Sequence, residues 1–370
     1  MQLANIKNNR LALLAAFFML TVSNSYSMSA TSNEVFMVES ESRIPVSISI
    51  STGILNGESK EYVYDNFFGT DQKVSELTWD LDNVLMIGAE TSVGLTDRIL
   101  FNFGAWLNAS DGSDNMTDYD WRIGEDEGWT DYSSSSSDLE EGIMLDANLN
   151  ILILAKDNYS LSTVFGFRYD KFRWSSYDGS GVYSYGDIAN DKLDNYVYDD
   201  GTMYDDGFRI QDVELYGDNI DYEQKFFTPY IGLNFNYRKN KWIFNSYIRG
   251  SIWAWGEAED IHYYPAGTYT LNGDFMGDSA GDSQPGSNDK DSIFYDSVDN
   301  MYYISLGLGV DYLFTETFSM GLSVNFQKYY LAEDNDKKDI EYDYHDASYE
   351  SWGGMSHESY MITLSANYSL

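Results

Sequence analysis

The chain has 370 residues, 43% of them hydrophobic and 16% aromatic, with 22 basic side chains against 60 acidic ones and a formal charge of −38. That balance excludes a nucleic-acid partner, because phosphate binding needs a basic footprint. The lack of cysteine excludes a disulfide framework, a thiol nucleophile and a Cys-ligated metal, and leaves a hydrogen-bonded closed sheet as the expected source of rigidity.

Residues 1–27 read as a secretory signal. Lys7 and Arg10 supply a positive start, Leu11 to Val22 an apolar run too short to cross a bilayer, and Ser25-Tyr26-Ser27 small residues for cleavage, with Ala30 as a competing site. Residues 28–370 then form one domain. No later apolar run reaches helical spanning length, and the mean hydropathy is −0.41. A membrane barrel has this profile too, because only alternate strand residues face lipid.

Period-two alternation recurs along that domain. Examples are Ile99, Phe101 and Phe103; Ile143, Leu145 and Ala147; Leu306, Leu308 and Val310; and Ile362, Leu364 and Ala366. Ten strands are expected at 44–56, 72–95, 98–110, 139–155, 158–176, 222–238, 241–256, 299–314, 317–332 and 356–370. Short turns near 95–98, 155–158, 238–241 and 315–317 alternate with long polar segments at 57–71, 111–138, 177–221, 257–298 and 333–355. The fold class is therefore all-β: a ten-stranded antiparallel transmembrane β-barrel with periplasmic turns and long extracellular loops. Tyr159, Tyr169, Tyr237, Trp242, Tyr302, Tyr312, Tyr329 and Tyr368 sit at strand ends and suit interfacial girdles. A secreted β-sandwich is the competing fold, but it needs no lipid-facing stripe on nearly every strand. A small porin is disfavoured, since side chains fill most of a ten-stranded interior. Asp334-Asn335-Asp336 opens like a calcium loop, yet Lys337 and Lys338 follow without a turn glycine, so no metal site is expected.

Two strings lie just past the ends of alternating strands, at one rim. The first is Asn115-Met116-Thr117-Asp118-Tyr119-Asp120-Trp121 with Gly128-Trp129-Thr130-Asp131; the second is Glu259-Asp260-Ile261-His262. A bare Asp-x-Asp is uninformative here, since Asp80–Asp82 and Asp289–Asp291 repeat it. Histidine is scarce: only His262, His345 and His357 occur. In a strand, Asp260 and His262 face the same way, and an adjacent carboxylate orients an imidazole as a general base requires. Two carboxylates facing an Asp–His pair can activate water. An anionic mouth also steers cationic peptides inward, although acidic loops serve solvation alone equally well.

These strings, together with Pro229-Tyr230-Ile231-Gly232-Leu233, the run Gly53 to Tyr64 and the run Gln72 to Trp79, resemble the omptins, ten-stranded outer-membrane endopeptidases of Gram-negative bacteria. The similarity covers nearly all of the mature chain. The resemblance implies an aspartic-type endopeptidase at the extracellular face of the outer membrane, acting beside basic residues in cationic peptides or exposed protein segments. In that likeness Asp118 and Asp120 match the acidic pair and Asp260 with His262 the Asp–His dyad, which activate water with no covalent intermediate, metal or other cofactor. Glu61 matches one acid of the S1 pocket and Asp131 an acid on the primed side. The second S1 acid is expected two residues before Asp260, where Ala258 stands; Glu257 and Glu259 face away from Asp260, so relaxed stringency follows. The likeness also implies dependence on lipopolysaccharide, with Lys171 and Lys225 placed against lipid A phosphates and Arg173 nearby. The rival reading is a non-catalytic adhesin or receptor that binds through Tyr- and Asp-rich loops. Leu370 departs from the usual terminal aromatic of outer-membrane barrels, the nearest being Tyr368.

Overall fold

The structure is a computed structural model that describes residues 45–65, 72–121, 129–183, 211–263, 268–271, 274–278, 292–330, 338–339, 341–342 and 352–370. The signal segment at 1–27, His345 and the string Asp334 to Asp336 lie outside the described residues.

Ten wall strands follow in chain order: β1 (Val46–Asp65), β2 (Gln72–Thr96), β3 (Ile99–Asn108, resuming as Asn115–Asp120), β4 (Asp131–Lys156), β5 (Tyr159–Tyr183), β6 (Gln211–Lys239), β7 (Trp242–His262), β8 (Ser292–Leu313), β9 (Phe318–Tyr330) and β10 (Trp352–Ser369). Each pairs antiparallel with its neighbours in sequence. Strand β1 also pairs with β10, from Ser47 opposite Ser369 to Tyr64 opposite Trp352, which closes the ring. Closure leaves no edge along the wall. At the short-turn end the Leu370 N–H donates to the Val46 carbonyl at 2.9 Å, so the first and last strands finish together.

The strands run further than the apolar alternation predicts. A tilted strand needs about 9–11 residues to cross the hydrocarbon, whereas β6 has 29 and β5 has 25. The segments expected as loops at 57–71, 111–138, 177–221 and 257–298 therefore contain wall strand. Above the lipid the outward side chains meet water and lose the apolar stripe, although the hydrogen-bond ladder continues.

The lipid-facing belt is carried by outward Ile50, Phe165, Ile231, Phe244, Leu308 and Ile362, all at least 42% exposed. On β7 it stops near Trp253, and the outward Glu257 marks solvent. Trp242 packs edge-on against Tyr312 at the lower girdle, and Tyr302 stacks on Tyr330 at the upper one. Tyr329 is not a girdle residue. It is fully buried and stacks on Phe226 at 4.2 Å, because its parity on β9 is opposite to that of the lipid-facing Leu322 and Val324.

Two layers fill the lumen. The lower one is polar and encloses a cavity of about 200 Å³ whose lining includes Asn148, Asn150, Asp146 and Arg249. Above it lies an apolar and aromatic layer containing Trp79, Trp174, Tyr222, Phe226, Met301 and Met355. Trp79 stacks on Tyr222 at 5.5 Å, and Trp174 lies 6.3 Å from the same ring. This layer forms the floor of the extracellular mouth.

Alternation is reset between the two layers. On β7 both Ile252 and Trp253 are exposed; below them the even-numbered residues face lipid, and above them Ala254, Gly256, Ala258 and Asp260 face inward. The ladder with β8 shifts register there, one extra residue falling on β7 between the Ala254 and Ser251 pairings and one on β8 between the Val298 and Met301 pairings. Asn300 takes a φ of 59° at the β8 irregularity, and Asn83 a φ of 53° at a matching one on β2. Asn tolerates this left-handed conformation better than most residues. Each bulge inverts which face looks into the barrel.

Candidate active site

Asp118 and Asp120 stand on the upper piece of β3, sharing an inward face with the buried Met116. They lie within the wall, not in a loop beyond it. Asp118 sits between Leu77 of β2 and Ser133 of β4, and Asp120 between Ser75 and Asp131. Ser75 Oγ donates to Asp118 Oδ1 at 3.3 Å. Burial first, then the charge on Asp120, pushes the Asp118 carboxyl well above the usual range; Asp131 and Asp260 add to this against the Ser75 hydrogen bond.

Across the mouth, the top of β7 presents the dyad. His262 Nε2 lies 2.7 Å from Asp260 Oδ2, with the Asp260 side chain 7% and the His262 side chain 35% exposed. Phe294 of β8 meets the imidazole edge-on at 5.3 Å. Burial pulls the His262 pKa down, but the charge and hydrogen bond of Asp260, joined by Asp120, outweigh it and hold the ring above its ordinary 6.5. The Asp pair and the dyad thus act on each other electrostatically. Asp260 Oδ1 is buried without a hydrogen-bond partner among the described residues. His357 has a different setting: it is buried in the lumen, stacked on Phe172 at 4.5 Å and hydrogen-bonded to Ser59 Oγ at 2.8 Å.

Glu61 of β1 faces the same mouth, opposite Leu77 and Met355. Its Oε2 is buried and unpartnered among the described residues. Burial and then the charges of Asp260, Asp296 and Asp118 raise its pKa well above the ordinary value. Asp131 is 1% exposed, opposite Asp120, and accepts from Thr130 Oγ1 at 3.0 Å. Ala258 occupies the inward position one alternation below Asp260, with Glu257 and Glu259 on the outward face as expected.

Lys171 and Lys225 are directly opposite each other on the outer wall. Lys171 Nζ lies 2.8 Å from both Glu141 and Glu223, and Lys225 Nζ lies 2.5 Å from Glu223. Arg173 pairs with Asp221 at 2.6 Å. The strip therefore carries cations already bridged by carboxylates.

The Omptin family model matches residues 42–370. The chain belongs to the omptin family. Omptins are aspartic-type peptidases of the outer membrane, and this barrel is an outer-membrane protein. The chain is 30% identical to the plasminogen activator of Yersinia pestis over 58% of its own length and 62% of that protein. It is 27% identical to protease 7 of Escherichia coli O157:H7 over 70% of its length and 73% of that protein. It thus spans about three fifths of the first relative and nearly three quarters of the second. The crystal structure of outer membrane protease OmpT from Escherichia coli superposes with a TM-score of 0.66 at 22% identity, covering 88% of this chain and 97% of that one. That likeness establishes the omptin barrel.

Three neighbours of the site escaped the sequence reading: Ser75, Tyr222 and Asp296. Tyr222 lies opposite Asp260 on β6, and its hydroxyl accepts from Gln224 Nε2 at 2.8 Å. Asp296 fell in a segment read as loop. Its parity with Val298, buried at 1% exposure, becomes usable only once β8 is known to extend to Ser292.

Proposed function

We propose that this omptin is an endopeptidase that hydrolyses peptide bonds beside basic residues in cationic peptides and exposed protein segments, through a water held between His262 and the Asp118/Asp120 pair. The observation that carries this reading is the 2.7 Å His262–Asp260 pair facing an acid pair in which the Asp118 carboxyl is raised. The imidazole nitrogen turned away from Asp260 takes a proton from the water, and the resulting hydroxide attacks the scissile carbonyl carbon. Asp260 fixes the ring and stabilises the imidazolium. The proton retained between Asp118 and Asp120 donates a hydrogen bond to the developing oxyanion. When the tetrahedral intermediate collapses, the C–N bond breaks and the leaving amine takes the proton from His262. No covalent enzyme intermediate and no metal enters.

Glu61 receives a basic side chain in S1, and Asp131 acts on the primed side. Lipopolysaccharide is the proposed lipid partner, with its lipid A phosphates competing with Glu141 and Glu223 for Lys171 and Lys225. Cleavage of a broad peptide library by the barrel refolded with lipopolysaccharide, read by mass spectrometry, tests the proposal. Cuts beside Arg or Lys that vanish in His262→Ala and Asp118→Ala support it. Equal inertness of wild type and both variants defeats it.

A further inference from the structure

Ala258 leaves the expected S1 pocket one acid short. Its cross-strand neighbours decide what fills the space. On β6 the partner is Gln224, and on β8 it is Asp296. Gln224 is committed elsewhere, donating through Nε2 to the Lys60 carbonyl at 3.0 Å and to the Tyr222 hydroxyl at 2.8 Å. Asp296 accepts from the Ser297 backbone N–H, and its Oδ1, like Gln224 Oε1, is buried with no hydrogen-bond partner among the described residues; of the two side chains only Asp296 can offer a charge. It faces inward with Val298, while Tyr295 on the opposite face is 45% exposed. Directly opposed residues hold their Cβ atoms about 4.5–5.5 Å apart, so Asp296 starts from the wall directly beside the Ala258 methyl, on the same inward face.

We infer that Asp296 supplies the second carboxylate of the S1 pocket in place of an acid at position 258, one ladder rung away, and that with Glu61 it selects a basic residue at the cleaved position. This rests on the basic-residue preference proposed above and replaces the relaxed stringency that Ala258 alone would imply. Three carboxylate oxygens buried without hydrogen-bond partners among the described residues, Glu61 Oε2, Asp260 Oδ1 and Asp296 Oδ1, belong to acids of one mouth, and the charges of Asp260 and Asp296 both reach Glu61. Burial, eased only by the Ser297 backbone N–H, holds Asp296 at a pKa of about 7. A guanidinium or ammonium group is the guest such orphaned oxygens lack. The alanine has its own reason. An acid at 258 would oppose Asp296 directly, and like charges across a rung are destabilising.

The test uses the full barrel refolded with lipopolysaccharide and two peptides identical except for Arg or its neutral isostere citrulline at the cleaved position. Wild type is expected to favour Arg strongly in kcat/KM. Asp296→Asn is expected to lower the Arg-to-citrulline ratio by about 10- to 100-fold, the loss of one charge-assisted pair. The double variant Asp296→Asn with Ala258→Asp carries the acid across the rung and is expected to restore the ratio. Heat-modifiable migration in gels confirms folding of each barrel. A ratio unchanged in Asp296→Asn, an equal fall for both peptides, or a folded double variant without restoration each overturns the inference. A wild-type ratio near one defeats the basic preference itself, and it is read before any variant is made.

Discussion

Asp260→Asn is the perturbation that separates a working dyad from a merely adjacent pair of side chains. In the folded protein, burial alone would leave His262 below its ordinary 6.5; Asp260, acting through both charge and a 2.7 Å hydrogen bond, is the larger of the two groups that reverse this, with Asp120 second. Asparagine keeps the size and can keep one hydrogen bond, but removes the charge. The imidazole then faces burial with only Asp120 in support, so its pKa must fall. The general base needs neutral imidazole, so wild-type kcat should climb as pH rises through a His262 value above 6.5, and the variant's limb should lie at lower pH. The rate at the plateau should drop about 10²- to 10⁴-fold, the usual worth of a positioned general base. The assay is kcat against pH with an Arg peptide, because kcat reports the enzyme–substrate complex, where the S1 acids are already paired with substrate. A limb that stays in place, or moves upward, would refute the assignment of Asp260 as the charge that supports imidazolium.

Substrate affinity should show the opposite dependence on a different group. Asp296 is neutral below its pKa of about 7 and charged above it, so KM for an Arg peptide is expected to fall as pH rises through that value, while the citrulline peptide shows no such fall. At limiting lipopolysaccharide, joint replacement of Lys171 and Lys225 by Ala is expected to lower activity and raise the lipid concentration needed for half-maximal rate, without loss of heat-modifiable folding. Trp79→Ala empties the floor of the mouth, where the side chain is fully buried against Tyr222 and Trp174. A cost of about 3–5 kcal/mol is expected in equilibrium unfolding by denaturant, as for other buried aromatics.

The lipid-crossing half of the barrel was legible because solvent there is hydrocarbon, and every second residue from Ile99 to Leu107 or from Leu306 to Val310 has to answer to it. The turns near Thr96, Asp157 and Asn240 follow from where that pattern stops and restarts. Above the belt the constraint lapses. Residues 131–138 read DYSSSSSD, with no apolar stripe, yet they form wall strand because the ladder to Asn115–Asp120 on one side and to β5 on the other continues. Residues 292–298 were likewise read as loop, which hid Asp296. The Asp118/Asp120 pair and the dyad were found through motif text. Composition could not isolate two acids among 60.

The bulges explain why alternation counted upward from the membrane points the wrong way. On β7 the lipid-facing residues Phe244, Ile248 and Ile252 are even-numbered, and an unbroken strand would send Ala258, Asp260 and His262 outward with them. The extra residue at Ile252–Trp253 turns them in. On β8 the irregularity between Val298 and Met301 does the same for Asp296, since Leu306 and Leu308 below it face lipid with the same parity. On β4 the shift between Leu139 and Glu141 turns Asp131 toward the mouth. Three acidic strands thus change face at the boundary between the belt and the mouth. A pattern that satisfies lipid outside and polar lumen inside is exchanged there for one that gathers carboxylates around a shared hollow. Register is what a one-residue slip destroys in a sheet. Here a fixed one-residue excess on each of these three strands turns Asp131, Asp260, His262 and Asp296 toward Glu61 and the Asp118/Asp120 pair, and holding them on hydrogen-bonded wall instead of loops keeps the mutually repelling acids in place before any substrate arrives.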